Sequence, residues 1–211
     1  FQKLGVKPGV NVGLYLPNTP HYLIAFFGIL KAGGKVVNYS PLDAARELEF
    51  KIGDSETDIL VTLDVTALYP KMAAMRGKTR LKKLIVGSIA DYLPWPKNWL
   101  YPIAKKKELS PWPRDDWHMS FKDLLANDGK FTPHNPASDN LWDEVAILQY
   151  TGGTTGLPKA AMLTHGCVMA AMSQGQAWTT PYTKPGTEKV VCVLPLFHIY
   201  AQIIDANGAV Q

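Results

Sequence analysis

Short apolar runs alternate with segments of helical periodicity along most of this chain. Buried strands are predicted at residues 10–16, 35–39, 59–63, 81–86, 145–150, through 162–163, and at 190–194. Helices are predicted between them, at residues 46–52, 68–75 and 166–178. A further short helix is predicted to be capped by Ser120, with Asp123 three residues after the cap. This alternation is typical of an α/β fold with mostly parallel sheets covered by helices.

The helix with the clearest signals begins near residue 19. Thr19 offers a capping hydroxyl, and Pro20 suits the first helical position. Apolar residues then recur at helical spacing and predict a core-facing stripe, at Tyr22, Leu23, Phe26, Phe27 and Leu30. Gly33 and Gly34 are predicted to end this helix, because glycine readily adopts the left-handed conformation.

Three segments differ in composition. Residues 1–90 and 119–211 both show the α/β alternation, and the second of them carries a glycine-rich loop. Between them, residues 91–118 form an irregular insertion rich in proline, with the run Lys105, Lys106, Lys107. Four of the six tryptophans also lie in this insertion, namely Trp95, Trp99, Trp112 and Trp117.

The insertion has two interpretations. It is either a surface segment whose aromatic side chains pack back on the domain, or a patch that contacts a membrane peripherally through Trp95, Trp99, Lys105, Lys106 and Lys107. Tryptophan favours the headgroup level of a bilayer and lysine favours anionic lipid. A cytoplasmic protein with such a patch would meet the inner face of a membrane.

The overall composition indicates a folded intracellular domain. The 211 residues are 46% apolar and 19% charged, which is enough for a substantial core. The net charge of +4 is modest, and no signature of nucleic-acid binding is present. Cys167 and Cys192 lack metal-ligand spacing, so we interpret both as packing residues in a reducing compartment, the cytoplasm. No apolar run approaches the ~18 residues of a membrane span.

Residues 150–165 concentrate the candidate chemistry. Gly152, Gly153 and Gly156 allow backbone amides to approach an anion closely, and the nearby threonines and Lys159 add hydroxyl donors and a positive charge. Leu157 and Pro158 separate Gly156 from the lysine, so the loop is not a Walker phosphate loop, which needs Gly-Lys-Ser/Thr in succession. A plain surface turn is the other alternative. We expect an anion cradle that is mobile when no nucleotide is bound.

This loop resembles the signature of adenylate-forming enzymes, in particular the AMP-forming acyl-CoA synthetases, whose phosphate loop reads Thr-Gly-Gly-Thr-Thr-Gly-x-Pro-Lys-Gly. Ala160 stands where that family usually has glycine, which preserves the loop only if the position does not need a positive φ. Further segments resemble the same family in order, at residues 4–9, 12–18 and 193–200. The segments between them resemble the long-chain fatty acid–CoA ligases in particular, at residues 28–34, 36–38, 41–42, 46–49 and 54–55.

The resemblance implies a ligase reaction in two halves. A fatty acid carboxylate attacks the α-phosphate of ATP to give acyl-adenylate and pyrophosphate, and the thiol of coenzyme A then displaces AMP, with Mg²⁺ as the metal. The implied phosphate-binding residues are Thr151, Gly152, Gly153, Thr154, Thr155, Gly156 and Lys159. Thr151 is also the implied Mg²⁺ contact.

His198 is the remaining candidate in the substrate site. It is predicted to follow the buried strand at 190–194, and the resemblance implies that it either orients a substrate carboxylate or lines the acyl channel. The rival interpretation is a hydrogen-bonded core histidine. His165 is predicted to flank the start of a helix after Thr164. His21, His118 and His134 lie outside any motif, and we assign them no chemical role.

The chain ends suggest a fragment. It begins at Phe1 and stops soon after the last matching segment, so we expect it to be truncated at both ends. The resemblance places the adenine-binding motif, a metal-binding glutamate and a catalytic lysine downstream, and we therefore expect the chain alone to be inactive. A medium-chain or aryl acid–CoA ligase, and a non-catalytic nucleotide- or acyl-binding module, stay open as alternatives. The sequence predicts no particular oligomeric state.

Overall fold

A seven-stranded sheet organises the chain in a computed structural model that describes residues 1–136, 140, 142–151, 157–184 and 186–203. The strands are β1 (Asn11–Leu14), β2 (Lys35–Asn38), β3 (Ile59–Leu63), β4 (Lys83–Gly87), β5 (His118–Ser120), β6 (Val145–Thr151) and β7 (Lys159–Thr164). They lie in the order β5-β4-β3-β1-β2-β6-β7. Neighbouring strands are parallel except for β6 and β7, which are antiparallel. The mostly parallel α/β fold predicted from the sequence is confirmed.

Seven α-helices occur in the described residues. They are α1 (Pro20–Lys31), α2 (Ala45–Asp54), α3 (Tyr69–Ala73), α4 (Lys97–Ala104), α5 (Phe121–Leu125), α6 (His165–Thr179) and α7 (Ile199–Ala201). Short 3-10 helices lie at Gln2–Leu4, Ile89–Tyr92, Lys106–Glu108 and Thr180–Tyr182. In the described residues no helix is both long and apolar enough to cross a membrane.

The core surrounds the first strands of the chain. All five residues of β3 are buried, and β1, β2 and β4 each have a single residue that is only partly buried. Strands covered on both faces are expected to be almost continuously apolar, which is why these segments were readable in the sequence. Helix α1 adds Tyr22, Phe26 and Ile29 to this core.

Because β1 to β6 run parallel to one another, their carboxyl ends lie along the same side of the sheet. The connection from β1 to β2 runs toward the β7 edge of the sheet. The connections from β2 to β3 and from β3 to β4 run toward the β5 edge. Right-handed crossovers therefore put α1 on one face of the sheet and α2 and α3 on the opposite face. In open α/β sheets, ligands bind outside the carboxyl ends of the strands, so this edge is where a site is expected.

The predicted start of α1 is correct in position but wrong in its cap. Thr19 is the N-cap and Pro20 the first helical residue, yet the Thr19 side chain makes no capping hydrogen bond. Its hydroxyl instead donates to the carbonyl oxygen of Pro17 at 3.4 Å. Gly33 has a φ of 84° just beyond the helix, as the predicted helix end requires.

The prediction of an irregular segment at 91–118 is wrong in part, because α4 forms inside it. Five prolines interrupt the sequence pattern there, but Pro96 precedes the helix as its N-cap and only Pro102 lies within it. The tryptophans divide into two pairs. Trp117 is buried and donates from Nε1 to the carbonyl oxygen of Leu81 at 3.0 Å, and Trp112 packs partly buried against the core. Trp95 and Trp99 are exposed.

The predicted strand at 190–194 is also wrong. These residues are irregular, and Val190, Val191 and Val193 are exposed. The valine-rich pattern favours a strand, but a strand also needs a neighbour, and no described strand lies beside this segment. The interpretation of both cysteines as packing residues is wrong as well, since Cys167 and Cys192 are exposed.

Candidate functional site

A polar cavity of about 350 Å³ lies at the carboxyl ends of β2 and β6. Asn38 and Ser40 reach it from the end of β2, and Gln149 and Thr151 reach it from β6. Residues of α2 form a second wall, and Phe197 and His198 close a third side. The cavity thus occupies the edge at which parallel α/β sheets bind ligands.

The two ends of the glycine-rich loop lie beside this cavity. Thr151 ends β6 and Lys159 begins β7, and the two are cross-strand partners. The Thr151 hydroxyl donates to the carbonyl oxygen of Lys159 at 3.3 Å, which ties the two ends of the loop together. Both residues are exposed, and Thr151 and Pro158 line the cavity. The predicted strand-to-strand loop is confirmed, in contrast to the strand-to-helix order of a Walker loop.

Several predicted site residues lie outside the described residues. These are Gly152, Gly153, Thr154, Thr155 and Gly156, together with the predicted mobility of their loop. Ala160, by contrast, is an ordinary residue of β7, and Glu56 is the only non-glycine with a positive φ in the described part of the chain. The alanine therefore occupies this position without backbone strain.

A network of amide side chains holds the floor of the cavity. The buried Asn38 accepts a hydrogen bond at Oδ1 from the Tyr22 hydroxyl at 2.8 Å. It donates from Nδ2 to Oε1 of Gln149 at 2.9 Å and to Oε1 of Gln202 at 3.1 Å. Because these residues come from α1, β2, β6 and the residue after α7, the network links four separate parts of the chain.

The turn that carries His198 is held from two sides. Asn18 donates to the carbonyl oxygen of Leu194 at 2.8 Å and accepts from the backbone amide of Leu196 at 2.8 Å. Gln149 donates from Nε2 to the carbonyl oxygen of Phe197 at 3.2 Å. The following residue, His198, is thereby fixed at the wall of the cavity.

His198 is exposed, so the interpretation as a core histidine is wrong. The expectation that it follows a buried strand is also wrong, because residues 190–194 are irregular. Its position at the cavity wall nonetheless leaves the imidazole accessible to a ligand. In the same part of the chain, His165 starts α6 directly after the capping residue Thr164, as predicted.

A buried ion pair lies on the α2 side of the cavity. Lys51 Nζ is 2.6 Å from Asp43 Oδ2, and both side chains are about one-tenth exposed. The same ammonium lies 5.4 Å from the centre of the Tyr150 ring, a cation–π distance. The Tyr150 hydroxyl donates to Asp54 Oδ2 at 2.6 Å. Burial, followed by this carboxylate, raises the pKa of Tyr150 well above its ordinary value, so the residue stays protonated and acts as a donor.

Sequence reasoning missed Asn38, Lys51 and Gln149. Asn38 and Gln149 stand at or near the ends of strands predicted from their apolar runs, and polar residues in that position are the signal that would have found them. Lys51 gave no such signal, because a lysine on a predicted helix is ordinarily a solvated residue. Its burial depends on contacts with Asp43 and Tyr150, which the sequence pattern does not contain.

The charges around the cavity limit what it can bind. Asp43 and Glu47 place two carboxylates in its lining and Lys51 one ammonium, so the described lining does not itself offer excess positive charge. A polyphosphate would therefore depend on the loop amides, on Lys159 and on a cation. The Thr151 hydroxyl is a suitable oxygen ligand for Mg²⁺, a metal that takes few protein ligands and completes its shell with phosphate oxygens and water.

Three comparisons with known proteins agree with this geometry. The family model described as AMP-binding enzyme matches residues 1–211. A long-chain-fatty-acid–CoA ligase of Bacillus subtilis is 37% identical over 98% of this chain and 36% of the relative, and one of Escherichia coli O157:H7 is 38% identical over 97% and 36%. The crystal structure of a long-chain-fatty-acid–CoA ligase from Archaeoglobus fulgidus superposes with a TM-score of 0.72 at 23% identity, over 99% of this chain and 34% of that one.

These coverages show how the length of this chain compares with the length of its relatives. It spans just over a third of the length of each of these curated ligases, while almost all of its own residues are matched. The match includes both the sheet that forms the cavity and the loop between β6 and β7. The chain therefore belongs to the family of AMP-binding enzymes.

Proposed function

We propose that this chain is the phosphate-binding part of an ATP-dependent, AMP-forming long-chain fatty acid–CoA ligase. The observation that carries the proposal is the loop between Thr151 and Lys159, which is closed at the carboxyl edge of the sheet next to a polar cavity. Curated relatives that are 37–38% identical carry the name long-chain-fatty-acid–CoA ligase. The proposed substrates are a long-chain fatty acid, ATP and coenzyme A.

In the proposed first half-reaction the loop binds the β- and γ-phosphates of ATP. The amides of Gly152, Gly153 and Gly156 and the hydroxyls of Thr154 and Thr155 donate to phosphate oxygens. Lys159 adds a charge-assisted contact, which aligns pyrophosphate as the leaving group when the fatty acid carboxylate attacks. Thr151 would hold Mg²⁺, which neutralises phosphate charge when bound.

His198 is proposed to face the carboxylate end of the fatty acid. Its side chain is exposed at the cavity wall, and Gln149 holds the preceding residue in place. An imidazole N–H can donate to a carboxylate and orient it without forming a covalent bond. The hydrogen bond from Gln149 to Phe197 supports this proposal, because it connects the turn that carries the histidine to β6, the strand that leads into the loop.

We also propose that the protein works in the cytoplasm and contacts the inner face of a membrane. Support comes from its proposed substrate, since a long-chain fatty acid partitions into bilayers, and from the exposed Trp95 and Trp99. An enzyme at the bilayer surface meets this substrate at a much higher local concentration than in water.

The test measures ATP–pyrophosphate exchange and acyl-CoA formation by the full-length product of the gene, with oleate, octanoate or 4-coumarate as the acid. We expect exchange that depends on Mg²⁺ and is fastest with oleate. Fastest turnover with octanoate or 4-coumarate would reassign the enzyme to the medium-chain or aryl acid ligases. Exchange with none of the three acids would overturn the ligase proposal in favour of a binding module.

A second measurement concerns the 211-residue chain by itself. We expect no acyl-CoA from it, because it spans about a third of the length of the ligases that it matches. Formation of acyl-CoA by the pure chain with ATP, Mg²⁺, oleate and coenzyme A would show that the complete site lies within residues 1–211.

A further inference from the structure

Helix α4 and its flanks expose an unusual amount of apolar surface. We define the interfacial segment as residues 95–107, which comprise Trp95, α4 and the three following lysines. Trp95 is 84% exposed, Trp99 68% and Ile103 63%, and α4 has no buried residue at all. Most exposed apolar residues are scattered singly, whereas clusters of this kind mark interaction surfaces.

The apolar side chains of the interfacial segment share one side of α4. Trp99 and Ile103 are four residues apart and Leu100 and Ile103 three apart, so they are neighbours on the helix surface. Trp95 lies just before the helix, next to its N-cap residue Pro96, and is also exposed. A short helix whose apolar side is left open in this way can bury that side only against something outside the described residues.

The charge of the interfacial segment is of one sign. It contains Lys97, Lys105, Lys106 and Lys107 and no acidic residue. Lys105 pairs with Glu108 at 2.6 Å, whereas none of the ion pairs among the described residues engages Lys97, Lys106 or Lys107. Tryptophan beside free lysine is the combination that suits the boundary between acyl chains and anionic headgroups.

The interfacial segment is attached firmly to the sheet. On one side the 3-10 helix Ile89–Tyr92 follows β4 directly and packs against α4. On the other side the amide of Ser110 donates to the carbonyl oxygen of Asp64 at 2.7 Å, and the amide of Thr66 donates to that of Glu108 at 2.8 Å. Both attachments lie just beyond the carboxyl ends of β3 and β4, so docking through α4 would orient the whole sheet.

We infer that the interfacial segment docks this protein on the surface of an anionic lipid bilayer, with Trp95, Trp99, Leu100 and Ile103 in the interface and the lysines at lipid phosphates. Lysine supplies the attraction to negative headgroups, and a partner protein with a purely apolar groove would leave those charges unmatched. The inference deepens the proposed membrane contact and does not depend on ligase activity.

The docked orientation also has a consequence for the candidate site. The segment is attached at the same edge of the sheet as the cavity between β2 and β6. Only β1 separates β3 from β2, a distance of about 10 Å between strand axes. If the protein has the proposed function, this edge of the sheet would therefore face the source of its lipid substrate.

The test is flotation of the full-length product of the gene with vesicles of phosphatidylcholine, with or without phosphatidylglycerol. We expect binding only to the vesicles that contain phosphatidylglycerol, and loss of binding at high salt. Lys97→Gln/Lys106→Gln/Lys107→Gln should lower the partition coefficient on the order of a hundredfold, and Trp99→Ala/Ile103→Ala at least about tenfold. All five side chains are exposed, so circular dichroism and thermal melting should match the parent chain.

Matched controls lie elsewhere on the surface. Trp178 is 82% exposed and Lys130 is exposed, so Trp178→Ala and Lys130→Gln remove the same chemistry outside the interfacial segment. Both controls should bind like the parent chain. Absence of binding by the parent, equal binding to neutral vesicles, or equal losses in controls and variants would overturn the inference. Self-association that Trp99→Ala/Ile103→Ala abolishes, without vesicle binding, would assign the segment to a second copy instead.

Discussion

Helices α1 and α6 both follow a strand of the same sheet, but they differ in how much they bury. Helix α1, of 12 residues, buries five of them, including Tyr22, Phe26 and Ile29. Helix α6, of 15 residues, buries only Gly166. Their strands differ in the same way, since β1 and β2 are almost entirely buried and no residue of β7 is.

This difference separates the region that stabilises the fold from the region that carries the loop. In the described residues the apolar core belongs mainly to residues 1–121, whereas the loop lies between two strands at the sparsely packed side of the sheet. Elements with few buried contacts open at low cost in free energy. The proposed role of the loop, which is to admit and release a nucleotide, would benefit from such surroundings. The four following predictions test the separation between the two regions.

The largest effect is expected for a matched pair of leucine truncations. Leu60 in β3 is fully buried and Leu157 beside β7 is 68% exposed. Leu60→Ala should lower the free energy of unfolding by about 2–5 kcal/mol, because it removes buried methyl groups and leaves a cavity. Leu157→Ala should change it by less than about 0.5 kcal/mol. Urea unfolding measures the free energy of unfolding of both variants. Equal decreases in the two variants would show that the two regions do not differ in packing.

Hydrogen exchange compares the two helices directly. Amides of α6 should exchange at least about a hundredfold faster than those of α1, a difference of about 3 kcal/mol in opening free energy. The physical reason is that opening α6 exposes little apolar surface that is not already exposed. Mass-spectrometric exchange on the 211-residue chain measures both helices together. Similar protection in α1 and α6 would show that the chain unfolds as one unit.

Lys159→Ala tests whether the sparsely packed region carries phosphate chemistry. In the full-length enzyme, loss of one charge-assisted contact to pyrophosphate should slow adenylate formation by roughly ten- to a hundredfold, about 1.5–3 kcal/mol. Thioester formation from pre-made acyl-adenylate should be unchanged, because pyrophosphate takes part only in the first half. The exposed Lys130 provides a control as Lys130→Ala. Equal slowing of both half-reactions by Lys159→Ala would indicate a structural lysine.

The smallest effect is expected from a buried histidine in the well-packed region. Burial lowers the pKa of His21 below its ordinary value, against a weaker opposing influence of Asp91, whose Oδ2 lies 3.6 Å from Nε2. The unfolded chain therefore binds the proton first as pH falls below about 6.5. The stabilisation is complete above that pH and is lost as pH falls through the lowered folded pKa. We expect a loss of stability on the acid side only, and the smallest of the four effects.

His21→Leu should flatten this acid-side decline. Neither ring nitrogen of His21 has a hydrogen-bond partner, so leucine sacrifices no hydrogen bond of the described residues. His165 in the sparsely packed region is the comparison, since burial lowers its pKa too but its side chain is 18% exposed. Thermal melts between neutral and mildly acidic pH should show a smaller flattening for His165→Leu. An unchanged pH profile in His21→Leu would place the acid sensitivity elsewhere.

The well-packed region was also the easier one to predict. Strands such as residues 59–63 are apolar on both faces, and the stripe from Tyr22 to Leu30 has clear helical spacing, so local pattern and burial agree. Residues 190–194 have an equally apolar pattern and yet form no strand, because pairing depends on a neighbour that the local sequence does not encode. Helix α4 was not predicted because its segment contains several prolines. The effect of a proline depends on whether it stands at the start of a helix or inside it.

The candidate site was predictable only in part. The loop followed from residue types alone, and Thr151 and His198 do line one cavity. The positions of Asn38, Lys51 and Gln149 depend on β2 and β6 being neighbours, although they are about a hundred residues apart in the chain. Sequence periodicity predicts helices and strands but not which strands are neighbours. Residues that meet only because β2 and β6 are paired could therefore not be predicted to share a site.

The pairing of Thr151 with Lys159 has one further consequence, for how this family can vary its loop. Because the antiparallel strands hold the two ends of residues 152–158 together, lengthening the connection adds only closure entropy, about 0.6 kcal/mol for each doubling in length. Folding therefore sets little restriction on the number of residues there. If the loop binds ATP as proposed, the length of the loop and the spacing of its glycines, threonines and lysine would be set by the shape of the phosphate chain.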